Sequence, residues 1–322
     1  MRQICSLLFG IIIFGNINLN AQTDAHYWTH QYGAKGLLLN GAVIASADDE
    51  TAIYYNPACM GQDNNLGFVF SFLTPTYASL KNNNLIVDGT SLRDEDLGLS
   101  PGFAAIRFQP FNTDKITMGV ASFERLKSDI HFNDRIVDNI ENNSFLLYSG
   151  DIDFRRKLSQ HWLGVGISYK INPNIAVGFS QYSVWHSESL ALAFKKEIYS
   201  QVDPSELFLT WRSDFQYDFD AYAGFISKAG FIWNQGDLKF GFTYTSPVYG
   251  FTKTGASYSF DDFKINLDET SSLSNQREVD LDNFKTPASY GIGFEFKVND
   301  LQISISSEYF RRVDNYVLFD DL

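Results

Sequence analysis

An all-β fold, a transmembrane antiparallel β-barrel, is what this sequence predicts, and three observations carry the prediction. About a dozen short segments alternate bulky apolar residues with small or polar ones, and several are joined by turns of two or three residues. A secretory leader opens the chain. Aromatic residues reach 16%, with 29 Phe and 17 Tyr, while only 8 of the 322 residues are Pro.

Alternation comes first because it defines the strands. Between Leu238 and Thr245, Leu238, Phe240, Phe242 and Tyr244 point one way, and Lys239, Gly241, Thr243 and Thr245 the other. That period of two gives a strand with one greasy and one wet face. It recurs in Val165, Ile167, Tyr169 and Ile171 against Gly164, Gly166, Ser168 and Lys170. It recurs again in Leu301, Ile303, Ile305 and Tyr309 against Gln302, Ser304, Ser306 and Glu308. A water-soluble sandwich would alternate in the same way, so the leader and the composition must decide.

Residues 1–21 carry Arg2, the apolar run from Ile4 to Phe14, the polar stretch Asn16 to Asn20, and Ala21 at the expected cleavage point. This is a signal peptide, too short to remain as a membrane helix. Cys5 precedes its apolar core and so cannot be a lipid-anchored cysteine, which leaves Cys59 alone after processing and excludes an intramolecular disulfide. The aromatic excess suits a barrel with rings at both membrane interfaces and small residues in its lumen. A net charge of −13 argues against nucleic acid as a partner.

Residues 22–65 do not alternate. Strands are expected at 66–74, 101–109, 115–125, 145–157, 161–171, 174–185, 207–215, 218–233, 237–247, 254–261, 287–298 and 300–311, within a barrel spanning 66–322. Asn172-Pro173-Asn174, Asn234-Gln235-Gly236 and Asn299-Asp300 supply residues that tolerate tight hairpin turns. Leu126 to Asn143, His186 to Glu206 and Asp262 to Thr286 read as long polar outer loops.

The segment Ser46 to Gly61, with the acidic pair Asp48 and Asp49 followed by Asn56-Pro57-Ala58, resembles the FadL/TodX family of outer-membrane transporters for hydrophobic compounds. Weaker likenesses lie in Ala223 to Pro247 and in Thr286 to Phe294. The resemblance implies a fourteen-stranded barrel with residues 22–65 folded inside as a plug. It also implies passive uptake of long-chain fatty acids or other hydrophobic small molecules across the outer membrane, without chemistry. The end of this sequence departs from the family pattern, because it stops at Leu322 without an aromatic-terminated strand. Either the barrel is smaller than the family's or the chain is short of its last strands; the expectation is the second, because Tyr316 to Phe319 reads as a strand just starting.

The expected site residues follow from this reading. Asn56, Pro57 and Ala58, with Asp48 and Asp49, are the candidate latch between plug and wall, since Pro fixes φ and Asn can cap the backbone. Asp48, Asp49 and Glu50 lack the ligand spacing of a calcium loop, so an ion pair to a lumen cation or a helix N-terminus is the favoured reading. With lumen positions mostly small, the apolar pocket is assigned to Leu37, Leu38, Leu39, Ile44, Phe72, Leu73 and Tyr77. His26 and His30 have helical spacing for a metal but no further ligands, and read as a flexible arm. No Gly-x-Ser-x-Gly elbow or phosphate loop is present, and neither metal nor cofactor is expected. Outer-membrane lipid and a hydrophobic ligand are the expected partners of a monomer. The alternatives are a non-transporting docking subunit of a protein-secretion machine and a lipid-modifying barrel enzyme.

Overall fold

The computed structural model describes residues 30–62, 67–71, 74–83, 91–100, 102–110, 113–140, 143–200, 202–203, 207–252, 255–266, 270–280, 285–299 and 301–314. Among the described residues, two helical turns, α1 (Ala34–Leu38) and α2 (Ala52–Tyr55), and a 3₁₀ turn (Pro57–Gly61) precede fourteen strands. These are β1 (Phe68–Ser71), β2 (Thr74–Asn83), β3 (Ser91–Ser100), β4 (Phe103–Phe108), β5 (Ile116–Ile140), β6 (Asn143–Asn172), β7 (Ile175–Ser200), β8 (Leu207–Gln235), β9 (Leu238–Thr245), β10 (Tyr249–Thr252), β11 (Gly255–Asn266), β12 (Thr270–Asp280), β13 (Ser289–Val298) and β14 (Leu301–Phe310). Twelve of them form one antiparallel sheet along the path β1-β4-β5-β6-β7-β8-β9-β13-β14, with β10 and β11 on the upper part of β8 and β12 on β11. β2 and β3 pair as a separate hairpin.

The turns follow from their side chains. Asn172 Oδ1 accepts from the backbone N–H groups of Asn174 and Ile175, both at 2.8 Å. Gly236 and Asn299 take the positive φ that tight hairpins need, at 59° and 58°.

Alternation places the faces as the sequence requires. One outward rung reads Met118, Ile167, Phe179, Ala229, Tyr244, Tyr290 and Tyr309 across seven strands. The next rung, facing inward, reads Thr117, Ser168, Gly178, Gly230, Thr243, Gly291 and Glu308. Val165, Phe179, Ile292 and Ile305 are between 43% and 55% exposed on the outside, whereas Ser168 and Thr117 are buried. This is a membrane barrel wall turned greasy side out.

Several expected boundaries are corrected. The segments 145–157 and 161–171 are one 30-residue strand, β6, and 207–215 joins 218–233 in the 29-residue β8. The three expected outer loops are largely strand: β5 runs to Ile140, β7 to Ser200, and 262–286 contains the end of β11 and all of β12. The hairpin β2–β3 was not expected. The leader and the C-terminal residues 315–322 lie outside the described residues.

The physical reason is a change of face partway up the sheet. On β6 the apolar residues are odd-numbered from Leu163 to Tyr169 but even-numbered from Ile152 to Leu158. The strand continues while its greasy side passes from outside to inside, and a sequence reader sees a broken period. On β5 the ladder to β6 shifts between Glu124 and Leu126, and the ladder between β7 and β8 shifts between His186 and Glu188. Such irregularities re-aim side chains. They lie at one level of the sheet, because Gln160 pairs with both Leu126 and His186.

Candidate functional site

The segment from His30 to Gln62 packs against the inner face of the sheet, and the sequence explains why it fits. Glycines face one another on adjacent strands at three places: Gly119 and Gly166, Gly178 and Gly230, Gly241 and Gly293. A Cβ on Gly178 would lie 2.3 Å from Ala58 N, and one on Gly241 would lie 2.4 Å from Ile44 O. The wall has removed its side chains where the plug backbone passes.

Asn56-Pro57-Ala58 is completely buried, or nearly so, against this wall. Asn56 Nδ2 donates to Ile44 O at 2.8 Å and to Phe231 O at 3.1 Å, while its Oδ1 accepts from Ala58 N at 3.1 Å. One amide thereby ties the plug to itself and to β8. Wall donors satisfy further plug carbonyls: Ser168 Oγ to Ala58 O at 3.0 Å, Tyr182 OH to Ile53 O at 2.5 Å, and Lys228 Nζ to Tyr54 O at 2.7 Å. Buried carbonyls need such partners.

The acidic trio divides among three partners. Asp48 Oδ2 lies 3.1 Å from Lys35 Nζ, which also lies 3.1 Å from Glu295 of β13. Asp49 Oδ1 accepts from Thr51 N at 2.9 Å at the start of α2. Glu50 lies 3.4 Å from Arg107, whose Nη1 donates to Met60 O at 3.1 Å. Burial pushes the Cys59 thiol up to about 12 and raises the Tyr55 hydroxyl from its ordinary value. His30 does not belong to a free arm: the adjacent Tyr32 is buried, its hydroxyl donates to Glu124 O, and burial lowers the His30 pKa. His26 lies outside the described residues.

Above the plug is a cavity of about 260 Å³. Its floor is Ile44, Tyr54 and Tyr55. Its walls include Leu126, Leu158, Trp162, Ile226 and Phe310, with Thr243, Thr245 and Ser289 on the opposite side. Several polar groups there are paired: Arg156 Nη2 donates to Glu188 Oε1 at 3.0 Å, Trp162 Nε1 to Gln160 Oε1 at 3.0 Å, and Ser289 Oγ to Glu308 Oε1 at 2.5 Å. The Tyr54 ring forms part of the cavity floor and is 8% exposed. Lys228 Nζ lies 5.3 Å from its centroid and Arg125 Cζ 5.5 Å, within cation–π range.

The expected pocket residues divide accordingly. Ile44 lines the cavity, and Leu39 is partly buried against the core. Leu37 and Leu38 do not line it: they are 63% and 85% exposed, because the single turn α1 buries Gly36 against Tyr55 instead. Phe72 and Leu73 lie outside the described residues. Tyr77 falls in β2, a strand of the separate hairpin, and nothing of its side chain is described. Lumen positions are small where the plug backbone passes, whereas the cavity wall carries Leu158, Trp162 and Ile226 beside the small Thr243, Thr245 and Ser289. The missed residues Arg107, Lys228 and Glu295 had a usable signal, since each is an ionisable residue at an inward position of a membrane strand.

No family model matches the chain, and no curated protein matches its sequence. Solved structures do. The Pseudomonas putida toluene transporter TodX superposes with a TM-score of 0.57 at 15% identity, over 86% of this chain and 70% of that one. The CymD monoaromatic hydrocarbon channel gives 0.50 at 15% identity, over 85% and 67%. A Pseudomonas aeruginosa FadL homologue gives 0.46 at 14%, over 83% and 66%. An apolar-faced antiparallel sheet packed on an N-terminal plug is thus the fold that this chain shares with TodX and CymD.

Proposed function

We propose that this protein is an outer-membrane channel for passive uptake of small hydrophobic molecules, with residues 1–21 removed on export, 22–65 acting as plug and 66–322 forming the wall of a monomer. The observation that carries the reading is the cavity seated on a packed plug inside a wall whose outer face is apolar. Solute from outside reaches the cavity, rests on Tyr54, and passes when the Asn56-Pro57-Ala58 latch and the Lys228 tie to Tyr54 release. Asp48 and Asp49 belong to that latch through Lys35 and the start of α2.

Size favours a small ligand. A dry apolar cavity of ~150 Å³ already accepts benzene, so about 260 Å³ suits a single substituted ring or a short chain. TodX is a toluene transporter and CymD a monoaromatic hydrocarbon channel, and ligands of that kind belong to this class. A long-chain fatty acid would have to extend beyond the cavity. Those two proteins are a transporter and a channel, in keeping with a role that needs no catalytic group.

The test is ligand content. Protein purified in lipid nanodiscs and extracted for mass spectrometry is expected to release an apolar small molecule, or to bind toluene with saturable quenching of Trp162 fluorescence. An empty extract together with unquenched Trp162 would remove the transport reading and favour a docking subunit.

A further inference from the structure

Up the outside of β6 the outward side chains change abruptly. Tyr169, Ile167, Val165 and Leu163 are apolar and between 40% and 55% exposed, whereas every outward position from His161 to Asp151 is polar or charged. β7 changes at the same level, where Trp185 is followed on the outward face by Ser187, Ser189, Ala191, Ala193 and Lys195. Asp153 stands ten residues beyond Leu163 on β6, roughly 33 Å along the strand at ~3.3 Å per residue. With the ~35–45° tilt of membrane strands, that is about 25 Å above the apolar band.

At that height the outer surface is hollow, with an open cavity of about 550 Å³ over β7. Ala193 forms its floor between Asp153 and Asp214 on one rung, and Lys195 stands between Asp151 and Arg212 on the next. Charges around it are matched. Arg155 donates to Asp153 through Nε at 3.1 Å and Nη2 at 2.9 Å, and Arg212 Nε donates to Asp214 at 2.6 Å. Lys195 Nζ lies 2.8 Å from Glu197, and Arg135 Nε lies 3.5 Å from Asp151. Exposed ion pairs contribute little to stability, so stability of the wall does not account for this set of them.

We propose that this hollow is a saccharide-binding site for the sugar chains of glycolipid anchored in the leaflet around the wall. Matched charge disfavours an ionic ligand. A phosphate would meet Asp153 and Asp214, a metal ion would meet Arg155 and Arg212, and among the described residues no three metal-ligating side chains converge. Neutral hydroxyl groups meet no such conflict. A guanidinium has five N–H donors and a carboxylate about four acceptor positions, so neighbouring Arg and Asp groups donate to one hydroxyl of a sugar and accept from the next. Phe263 adds an apolar platform: it is 39% exposed and lies opposite Arg212, which lies opposite Lys195, on one outward rung. Two strand spacings, about 10 Å, separate Phe263 from Lys195. Two linked sugar rings span that distance, one over Ala193 and one with its C–H face on Phe263. The source is the surrounding leaflet because the hollow opens sideways over the lipid, at a height where acyl chains have ended and only their sugars reach. From the transport reading the site takes only the outer-membrane placement.

The experiment titrates the full chain in phosphatidylcholine nanodiscs with the core oligosaccharide released by mild acid from outer-membrane lipopolysaccharide, read by saturation-transfer NMR. Maltotriose is the free-sugar comparison, and the same oligosaccharide after phosphatase treatment tests for an anion site. Saturable transfer is expected, unchanged by phosphatase. Ala193→Trp, which fills the floor, should weaken binding at least tenfold, and Phe263→Ala, the milder second variant, severalfold, each with the heat-modifiable gel mobility of the folded barrel. Ala193→Ser should bind as wild type. Absence of transfer, equal affinity of wild type and both folded variants, or loss of binding on phosphatase treatment would overturn the site. Equal affinity for maltotriose would overturn the glycolipid assignment. None of these results touches the transport reading, because Ala193 and the cavity lie on opposite faces of the wall; quenching of Trp162 by toluene, measured in the same nanodiscs, should be identical in all four forms. Unquenched Trp162 in every form would remove the transport reading and leave the saccharide site standing. Failure of the chain to sediment with outer-membrane fragments of cells would remove the placement on which both rest.

Discussion

Gly178→Ala tests the fit of plug to wall with a single methyl group. Its Cβ would lie 2.3 Å from both Ala58 N and Pro57 C, backbone atoms that cannot swing aside as a side-chain tip could. Restoring ordinary contact requires a shift of about 1 Å in a segment pinned by Asn56, and overpacking of this kind costs about 1–3 kcal/mol. The strand ladders of β7 are unaffected, so the strain falls on the seated plug and favours its release. At ~1.4 kcal/mol per tenfold, the released population should rise about 5–150-fold. Cys59 reports that population directly: it is fully buried, its thiol is pushed up to about 12, and it is the only cysteine outside the leader. The assay is the rate of labelling by a membrane-impermeant maleimide, beside Phe179→Leu, a change on the lipid face of the same strand, as control. Labelling of Gly178→Ala at the wild-type rate, with the folded barrel still shown by heat-modifiable gel mobility, would refute the account of how the plug is seated.

Asn56→Ala removes hydrogen bonds to Ile44 O, Phe231 O and Ala58 N, each worth about 1 kcal/mol net; Cys59 labelling should accelerate further than in Pro57→Ala, which keeps those bonds. Arg107→Met strands Glu50 in a buried site, a loss of about 3–5 kcal/mol, and the double variant Arg107→Met/Glu50→Leu should recover part of the thermal midpoint lost by the single one. Ile226→Trp fills the cavity from β8 and should reduce uptake of toluene severalfold while Cys59 labelling stays at the wild-type rate, separating pocket from plug. Because the Cys59 thiol is held near 12 by burial, its labelling in the native protein should show little thiolate gain between pH 7 and 9, whereas the unfolded chain should label faster as the ordinary thiol ionises; a native profile rising with a midpoint near 8.5 would contradict its burial.

Much of the wall was legible because a membrane strand writes its faces into the sequence. Leu238 to Thr245 alternates without interruption and Leu301 to Tyr309 breaks only at Ser307, and their turns carry the Asn or Gly that the backbone demands. Asn56-Pro57-Ala58 was legible as a special segment, although its seat on Gly178 and Gly230 depends on residues more than a hundred positions away. The upper halves of β5 to β8 were not legible as strands. On β6 the apolar phase slips between Leu158 and His161 with no break in the backbone, while on β5 and β8 an irregular rung turns the strand over as the parity of apolar residues persists. The cavity was hidden for a related reason: Leu158, Trp162, Ile226 and Phe310 sit on three strands and converge only through the register. Leu37 and Leu38 misled because a helix of five residues is too short for its apolar run to define a buried face.

The central claim is that a hydrophobic solute crosses this wall through the cavity and past the plug. The most direct measurement is the initial rate of radiolabelled toluene uptake by cells lacking the gene, after complementation with wild type, Ile226→Trp or Gly178→Ala. The account predicts that wild type restores uptake, that filling the cavity removes most of the gain, and that loosening the plug raises the rate above wild type. Equal uptake by the deletion strain and by all three complemented strains would contradict it.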